Sequence, residues 1–597
     1  MKISIPDKDG KLSQPNRGEL QGNIFASWNL DLTSNSGKIR ISPQTVVRND
    51  SDTIPTLVYP TKVVRSLARA GVDNLWLLCD KQILRVATPT STALNFVVDD
   101  STSSPTSILG YKISDMIDWQ GYLYVSGSTD IVRLPGTTTW ASYYNALAGN
   151  PTLTASIPHP LCNGFNNLFL CGDGTGVISI DQTGAFNQSR VTLKSEFEVL
   201  WIISSSTEYW IGARNKRGGQ GEVFMWDGQS QNFNGNYKIG SEIPLAGIIK
   251  DNVCYIINNL GQLMGFNGSG FSEVARLPIA NYINKRWQDG TAGNDIFSVN
   301  INGMALINNN IHILLNANLN ASNCGYINIE EMKSGIWEYT PEHGLVHKYS
   351  ITKDNASSKI DYGSPITKFT GMLYPYPREY GTFIAGATLY KQDGATAGGG
   401  TLDVLVSQDV NDTVAKCGYF ITPQIQTQEL QENWQRINFN IKELLNSTDK
   451  ISVKYRIGYK NYANAEGTSG ACTWVDSTHL TTTVFTVANS NIAVGDEIEI
   501  LSGEGSGLSA NITAITGTTT LTLTIDQSVT DASGECTIRL SNWKNIGTEI
   551  ETQGLDYFRL PINEPSTWIQ FKVVCLFTGK NEINKLIIKS EPQIRVE

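Results

Sequence analysis

From Asn23 to about Gln392 the chain repeats one pattern of apolar and polar positions: a polar turn, a short apolar run, a tip of Gly, Asn or Asp, and a second apolar run. The first clear copy is Asn74–Cys79 (NLWLLC), a turn at Asp80-Lys81, then Gln82–Val86 (QILRV). It is followed by Gln120–Val125 with Ile131–Leu134, Asn167–Cys171 with Val177–Ile180, Glu208–Gly212 with Glu222–Trp226, and Asn252–Ile257 with Gln262–Phe266. A sixth copy opens at Asn310–Leu315 and resumes at Gly335–Tyr339, and a weaker seventh reads Gly381–Ala385 with Ala387–Tyr390. The first six open at residues 74, 120, 167, 208, 252 and 310, so they start 41 to 58 residues apart. That is the spacing of four-stranded propeller blades. One such sheet cannot bury both faces alone, so similar sheets pack face to face until the ring closes. A stack of sandwiches is the alternative, and it implies less regular spacing.

Beyond Ala395–Gly400 the pattern changes to long alternating segments: Leu402–Val406, Trp434–Ile441, Ile451–Ile457, Trp568–Val574 and Lys585–Lys589. Period-two alternation with one polar face predicts a half-exposed antiparallel sandwich, jelly-roll-like in outline. Inside it lie short strand patterns separated by Gly-rich turns, among them Thr482–Val487, Ile492–Ile500, Gly503–Gly507, Ala510–Ile515 and Thr520–Ile525. They predict a small inserted barrel. The expected fold is all-β: a β-propeller of about six or seven blades, then a β-sandwich carrying an inserted β-barrel module. The expected division is an N-terminal arm over 1–22, the propeller over 23–394, the sandwich over 395–471 and 542–597, and the insert over 472–541.

Composition supports short strands over helices. Charged residues are 17% of the 597, below the usual quarter, and Gly alone counts 54. The net charge of −10 without any long Lys/Arg cluster disfavours direct nucleic-acid recognition. The densest basic spot, Arg214–Arg217, sits at a Gly-rich hairpin tip. The nine cysteines are scattered, mostly inside apolar runs, which reads as buried thiols rather than a disulfide framework and points to assembly in a reducing compartment. No stretch of about 18 apolar residues predicts a membrane span, and the Met1–Pro6 segment has no apolar core of a signal peptide.

Candidate chemistry is sparse. His343 and His347 are four apart, but the Gly between them and the strand-rich context argue against the helix that such a metal pair needs. Asp7-Lys8-Asp9-Gly10 resembles the opening of a calcium loop and lacks its later ligands, so it reads as a turn. Gly172–Gly176 reads as a hairpin tip, because no helix follows it to hold a phosphate. There is no Gly-x-Ser-x-Gly elbow, no phosphate-binding Gly-Lys-Ser/Thr loop and no Cys-x-x-Cys pair. Trp119, Trp226 and Trp337 recur near blade strands, where packing explains them more cheaply than stacking on a sugar face. No catalytic, cofactor-binding or metal-ligating residue is nominated, and the chain reads as a non-enzyme with no cofactor.

The segment Gly22–Pro43 (GNIFASWNLDLTSNSGKIRISP) resembles the start of virion proteins of tailed bacteriophages. The insert around Val494–Ile500 and Gly503–Gly507 is similar to small β-modules spliced into phage tail and fibre proteins. Together these cover roughly 90 residues, and the propeller-plus-sandwich layout is similar in kind to tail nozzle and tail-tip components. The resemblance implies a structural protein of the virion tail, assembled in the host cytoplasm, with identical copies in a ring and other tail proteins as partners. It carries no catalytic residue. Two other readings stay open: a tail protein that binds a host receptor or surface glycan, and a propeller glycosidase or lyase.

Overall fold

The computed structural model describes residues 2–5, 26–31, 39–48, 60–79, 82–86, 89, 94, 97–99, 115–217, 220–240, 242–277, 297–317, 334–342, 344–350, 368–376, 379, 381–391, 400–408, 417–422, 425–426, 432–441, 449–457, 469–485, 492–502, 509–526, 528–529, 532–546, 554–559, 568–577 and 583–592. These residues form strands joined by turns, with no α-helix among them. The all-β class expected from the sequence is the one observed.

Seven antiparallel sheets follow one another along the chain, and six of them are consecutive in sequence. The first is Pro60–Arg69, Val72–Cys79, Gln82–Val86 and Val97–Val98; the second begins at Asp115–Trp119, the third at Leu161–Asn163, the fourth at Phe197–Ser204 and the fifth at Pro244–Lys250. The sixth takes in the short strand Phe297–Ser298 and has Met304–Ile307 as its leading strand, and the seventh begins at Lys368–Pro375. Each leading strand touches the next, and that of the seventh sheet touches that of the first, so the sheets close a ring.

The apolar interfaces make the same circuit. Trp76 and Leu78 of the first sheet pack on Met116, Leu123 and Trp140 of the second, with the two indoles edge to face at 5.9 Å. Trp119 and Tyr124 meet Phe169 and Ile178 of the third, and Leu170 and Val177 meet Tyr209 and Trp226 of the fourth. Trp201 and Trp210 meet Cys254 and Ile256 of the fifth, and Ile257 and Leu263 meet Ile313 and Trp337 of the sixth. Leu314 and Ile336 meet Phe383 and Ala385 of the seventh, and Ile384 and Leu405 return to Leu75 and Leu77 of the first. Each sheet thus buries both faces against its neighbours, which one four-stranded sheet cannot do alone. Close approach needs small residues at some crossings: a Cβ on Gly212 would fall inside the Trp201 indole, which lies between the fourth and fifth sheets.

The seventh sheet departs from the sequence reading in two ways. Gly381–Ala385 and Ala387–Tyr390 were expected as two strands of one hairpin. Phe383–Lys391 is instead a single strand, with Gly386 paired to Leu405 in its interior. Leu402–Val406, expected in the sandwich, lies in Gly400–Gln408, which pairs with Phe383–Lys391 on one side and with Thr45–Val47 on the other. The last sheet is completed by a strand from near the N-terminus, so the chain's two ends of the ring are sewn together.

The same N-terminal region also enters the C-terminal half. Ala26–Trp28 was expected in the propeller, but it pairs with Cys417–Ile421, which continues through Trp568–Leu576 to Lys450–Ile457. Lys2–Ile5, within the expected arm, pairs with Ile583–Pro592 in a second sheet with Glu432–Ile441 and Gly554–Arg559. Asp7–Gly10 lies outside the described residues.

The insert is a closed barrel. Its strands run Ser469–Asp476, His479–Thr482, Leu521–Ile525, Ser509–Thr516, Asp496–Ser502 and Glu535–Asn545, and the last pairs back to the first. Its interior holds Trp474, Leu480, Ile498, Ile500, Leu523 and Ile538, all buried. The expected limit at residue 541 falls inside Glu535–Asn545, whose first half pairs in the barrel while Lys544 and Asn545 pair with Tyr455 and Lys454. One continuous strand therefore carries the barrel on the sandwich.

Candidate functional site

The sequence candidates disperse rather than converge. His159 is buried beside the third sheet, His312 and His347 are buried on different strands of the sixth, His479 is partly exposed beside Asp476 at the start of His479–Thr482, and His343 lies outside the described residues. Among the described residues no three His, Cys, Asp or Glu side chains gather as a metal site. Trp119, Trp226 and Trp337 are buried in the interfaces between sheets, which makes them packing residues. Gly172–Gly176 spans a hairpin tip between Phe169–Asp173 and Gly176–Ile180, with Gly174 at φ +60°. Arg214 at the other tip pairs with Glu198, and the Lys216 ammonium donates to the Ser195 carbonyl. No described helix is long and apolar enough to cross a membrane.

What the structure does assemble is a set of polar joints. At the start of the leading strands, Lys62 of the first sheet pairs with buried Asp115 of the second. Asp115 also accepts from the backbone N–H of Leu161 in the third, at 2.8 Å. The Asn302 amide donates to the Thr61 carbonyl at 3.1 Å, reaching from beside the sixth sheet back to the first. The Trp201 indole N–H donates to the Pro244 carbonyl, tying the fourth sheet to the fifth. These groups are fixed by their place on adjacent leading strands, and they align the sheets about the axis.

A second joint straps the N-terminal segment onto the sixth sheet. The Asn29 backbone N–H donates to His347 Nδ1 at 3.2 Å, and the other ring nitrogen lies 3.0 Å from the Ser334 carbonyl. With Nδ1 accepting, the hydrogen sits on Nε2, so the imidazole is neutral in this geometry. The His347 N–H donates to Ser27 Oγ, and the Ser350 N–H donates to Asn29 Oδ1 at 2.9 Å. Asn29 holds φ +53°, a region that Asn tolerates better than most residues.

Beside this strap lies a buried charge group. Lys348 Nζ is 2.8 Å from Glu338 and 3.7 Å from Asp31, and His312 Nε2 is 3.6 Å from Glu338. Burial pushes His312 down to about 4. Burial would raise the Glu338 carboxyl, yet the Lys348 ammonium and His312 hold it below its ordinary range. Burial likewise opposes the charge on Lys348, but Tyr349, Glu338 and Asp31 keep it above the usual lysine range.

The third joint lies between barrel and sandwich. Glu497 of the barrel is fully buried and receives Lys572 at 3.1 Å and also Lys454, both from sandwich strands. Lys454 donates further to Asn511 at 2.7 Å. Arg456 lies 4.6 Å above the Trp543 ring and donates to Gln570 at 2.7 Å. Within the barrel itself, Arg539 pairs with Glu499 on the neighbouring strand at 2.5 Å. The alternation of Ile451–Ile457 and Trp568–Val574 predicted a solvent-facing polar side. That side is instead buried, with Lys454, Arg456, Gln570 and Lys572 all less than a tenth exposed. Nothing local in those strands distinguishes a polar face under a neighbouring module from one under water.

This arrangement can hold modules rigidly together. No protein-family model matches the chain, and no curated protein matches it. Among solved structures, the extracellular domain of a putative hybrid two component system from B. thetaiotaomicron matches 80% of this chain with 9% identity and TM-score 0.37. The AfRom2 CNH domain matches 61% with 12% identity and TM-score 0.35, over 99% of its own length. An auxiliary nutrient binding protein from Bacteroides ovatus matches 39% with 10% identity and TM-score 0.27. The chain spans 46% of the length of the first of these, about half.

Proposed function

We propose that this chain is a non-enzymatic structural component of a phage virion, placed in the tail or tail tip and forming a symmetric oligomer with identical copies and other tail proteins. The observation that carries this reading is where the charge goes. Asp115, Glu338, Lys348 and Glu497 are buried in joints between sheets or modules, which favours a stiff scaffold over a cleft that opens and closes. N-terminal strands that complete both the ring and the C-terminal sheets support the same reading. The segment Gly22–Pro43, which resembles phage virion proteins, supplies Ala26–Trp28, and the strand that completes the ring, Thr45–Val47, follows directly after it. Electron microscopy of virions labelled with antibody against this chain tests it: label on the tail is expected, and unlabelled tails refute it.

The second reading, attachment to a host receptor or glycan, draws on the barrel surface. Thr473, Thr481 and Thr522 lie side by side on neighbouring strands and point outward, with Val475, Val484 and Val494 exposed nearby on the same module. A glycan array probed with the full chain separates this reading from a purely structural one.

A further inference from the structure

Two cysteines of the barrel stand directly opposite one another. Cys472 of Ser469–Asp476 is in register with Cys536 of Glu535–Asn545. Both side chains face the barrel interior, at 2% and 3% exposure. The Trp474 N–H donates to the Gly534 carbonyl at 3.0 Å, two positions along the same ladder. Hydrogen-bonded pairs alternate with open ones along an antiparallel ladder, so Cys472 and Cys536 occupy a hydrogen-bonded pair with Cα atoms about 5.5 Å apart. Disulfides are commonest at a Cα separation of about 5.5–6 Å.

We propose that Cys472 and Cys536 form a redox-labile disulfide that staples the barrel shut in an oxidising environment. The Cys472 thiolate attacks one sulfur of a small disulfide such as oxidised glutathione and releases one glutathione thiolate. The Cys536 thiolate then attacks the protein sulfur of that mixed disulfide and releases the second. The protein loses two S–H bonds and gains one S–S bond, while the oxidant's S–S bond breaks and its two halves take up the two protons. The Cys536 thiol hydrogen-bonds the Cys472 sulfur, which eases ionisation of Cys472 against its burial.

Three features shape the behaviour of this bond. Directly opposed Cβ atoms sit about 4.5–5.5 Å apart, wider than the ~3.8 Å mean of a disulfide, so closing it strains the ladder and keeps it reducible. The loop it closes contains 65 residues, counting both cysteines, and takes in four of the barrel's six strands whole with parts of the other two. Restricting that loop in the unfolded chain favours the closed barrel. Because both sulfurs are buried, oxidation waits on local opening of the strands or occurs before the barrel closes. The fold also holds an internal comparison. Cys162 and Cys171 lie on paired strands in the third sheet, but their side chains join the cores on opposite faces of that sheet and cannot meet.

The test uses the full chain equilibrated in buffers of rising oxidised-to-reduced glutathione ratio, then acid-quenched, alkylated and digested without reduction for mass spectrometry. A cross-linked peptide joining Cys472 to Cys536 is expected at the oxidising end. It should be absent after dithiothreitol and accompanied by an unfolding midpoint for the barrel raised by ~5 °C or more. Cys472→Ser and Cys536→Ser should each abolish the oxidation-dependent shift. Should a serine variant fail to fold, the cross-link map of the unaltered chain decides alone. Recovery of both cysteines alkylated after unfolding at the oxidising end, or glutathione retained on one of them in place of the cross-link, overturns the proposal.

Discussion

Glu497→Gln is the sharpest perturbation of the joint between barrel and sandwich. The substitution keeps shape and volume but removes the negative charge that faces Lys572 at 3.1 Å and Lys454 beside it, in a site where Glu497 is fully buried. At an effective dielectric near 20, one such attraction at that distance is about 5 kcal/mol. Desolvation of the three ions offsets much of this in the native protein, which is why the intact group adds little net stability. Removing only the carboxylate leaves that desolvation cost in place and sets two ammonium groups against each other. The expected loss is about 3–5 kcal/mol, or roughly 10² to 10³·⁵ in the equilibrium for releasing the barrel. The assay is hydrogen exchange by mass spectrometry on the full chain, comparing peptides from 496–502 and 568–576 with peptides from the first sheet of the ring. The variant should exchange faster at the joint by that factor while 72–79 keeps its rate. A Lys454→Met, Glu497→Leu, Lys572→Met triple variant should recover most of the protection, since apolar replacement of a buried ion group is often neutral or better. Protection at the joint unchanged in Glu497→Gln, to within a factor of two, refutes the reasoning.

Three further outcomes follow from the other joints. Gly212→Ala should lower the thermal midpoint by an overpacking cost of about 1–3 kcal/mol, because the new methyl meets the Trp201 indole; Ala at Gly247, on the far side of the same indole, should act likewise. Asn29→Ala should cost about 2 kcal/mol, from the lost bond to the Ser350 N–H and the positive φ of that position, read as faster hydrogen exchange over 344–349. His312 is held neutral in the fold, at about 4 against an ordinary 6.5, so it favours folding fully above pH 6.5 and progressively less as pH falls toward 4. The loss across that window is about 3 kcal/mol at most. Urea midpoints at pH 7 and pH 4.5 should therefore differ less for His312→Gln than for the unaltered chain.

The sequence by itself determined which segments are strands and that they come in repeats. Period-two alternation and Gly, Asn and Asp tips are local properties, and Asn74–Cys79, Gln120–Val125 and Asn252–Ile257 fall on observed strands for that reason. The Trp residues at repeated positions were legible as packing groups because each sheet needs two apolar faces. Partner choice was not legible. Leu402–Val406 has the same alternation whether it ends the ring or begins the sandwich, and only closure against Thr45–Val47 assigned it. Likewise Lys454 and Lys572 occupy positions that alternation assigns to water, and a charge cannot signal locally that Glu497, 43 residues beyond Lys454, will cover it. The tertiary structure decided these points because strand pairing and burial of a polar face depend on which distant surface arrives to exclude solvent. That arrival is settled by the closing of the ring and the barrel, not by any neighbouring residue in the chain.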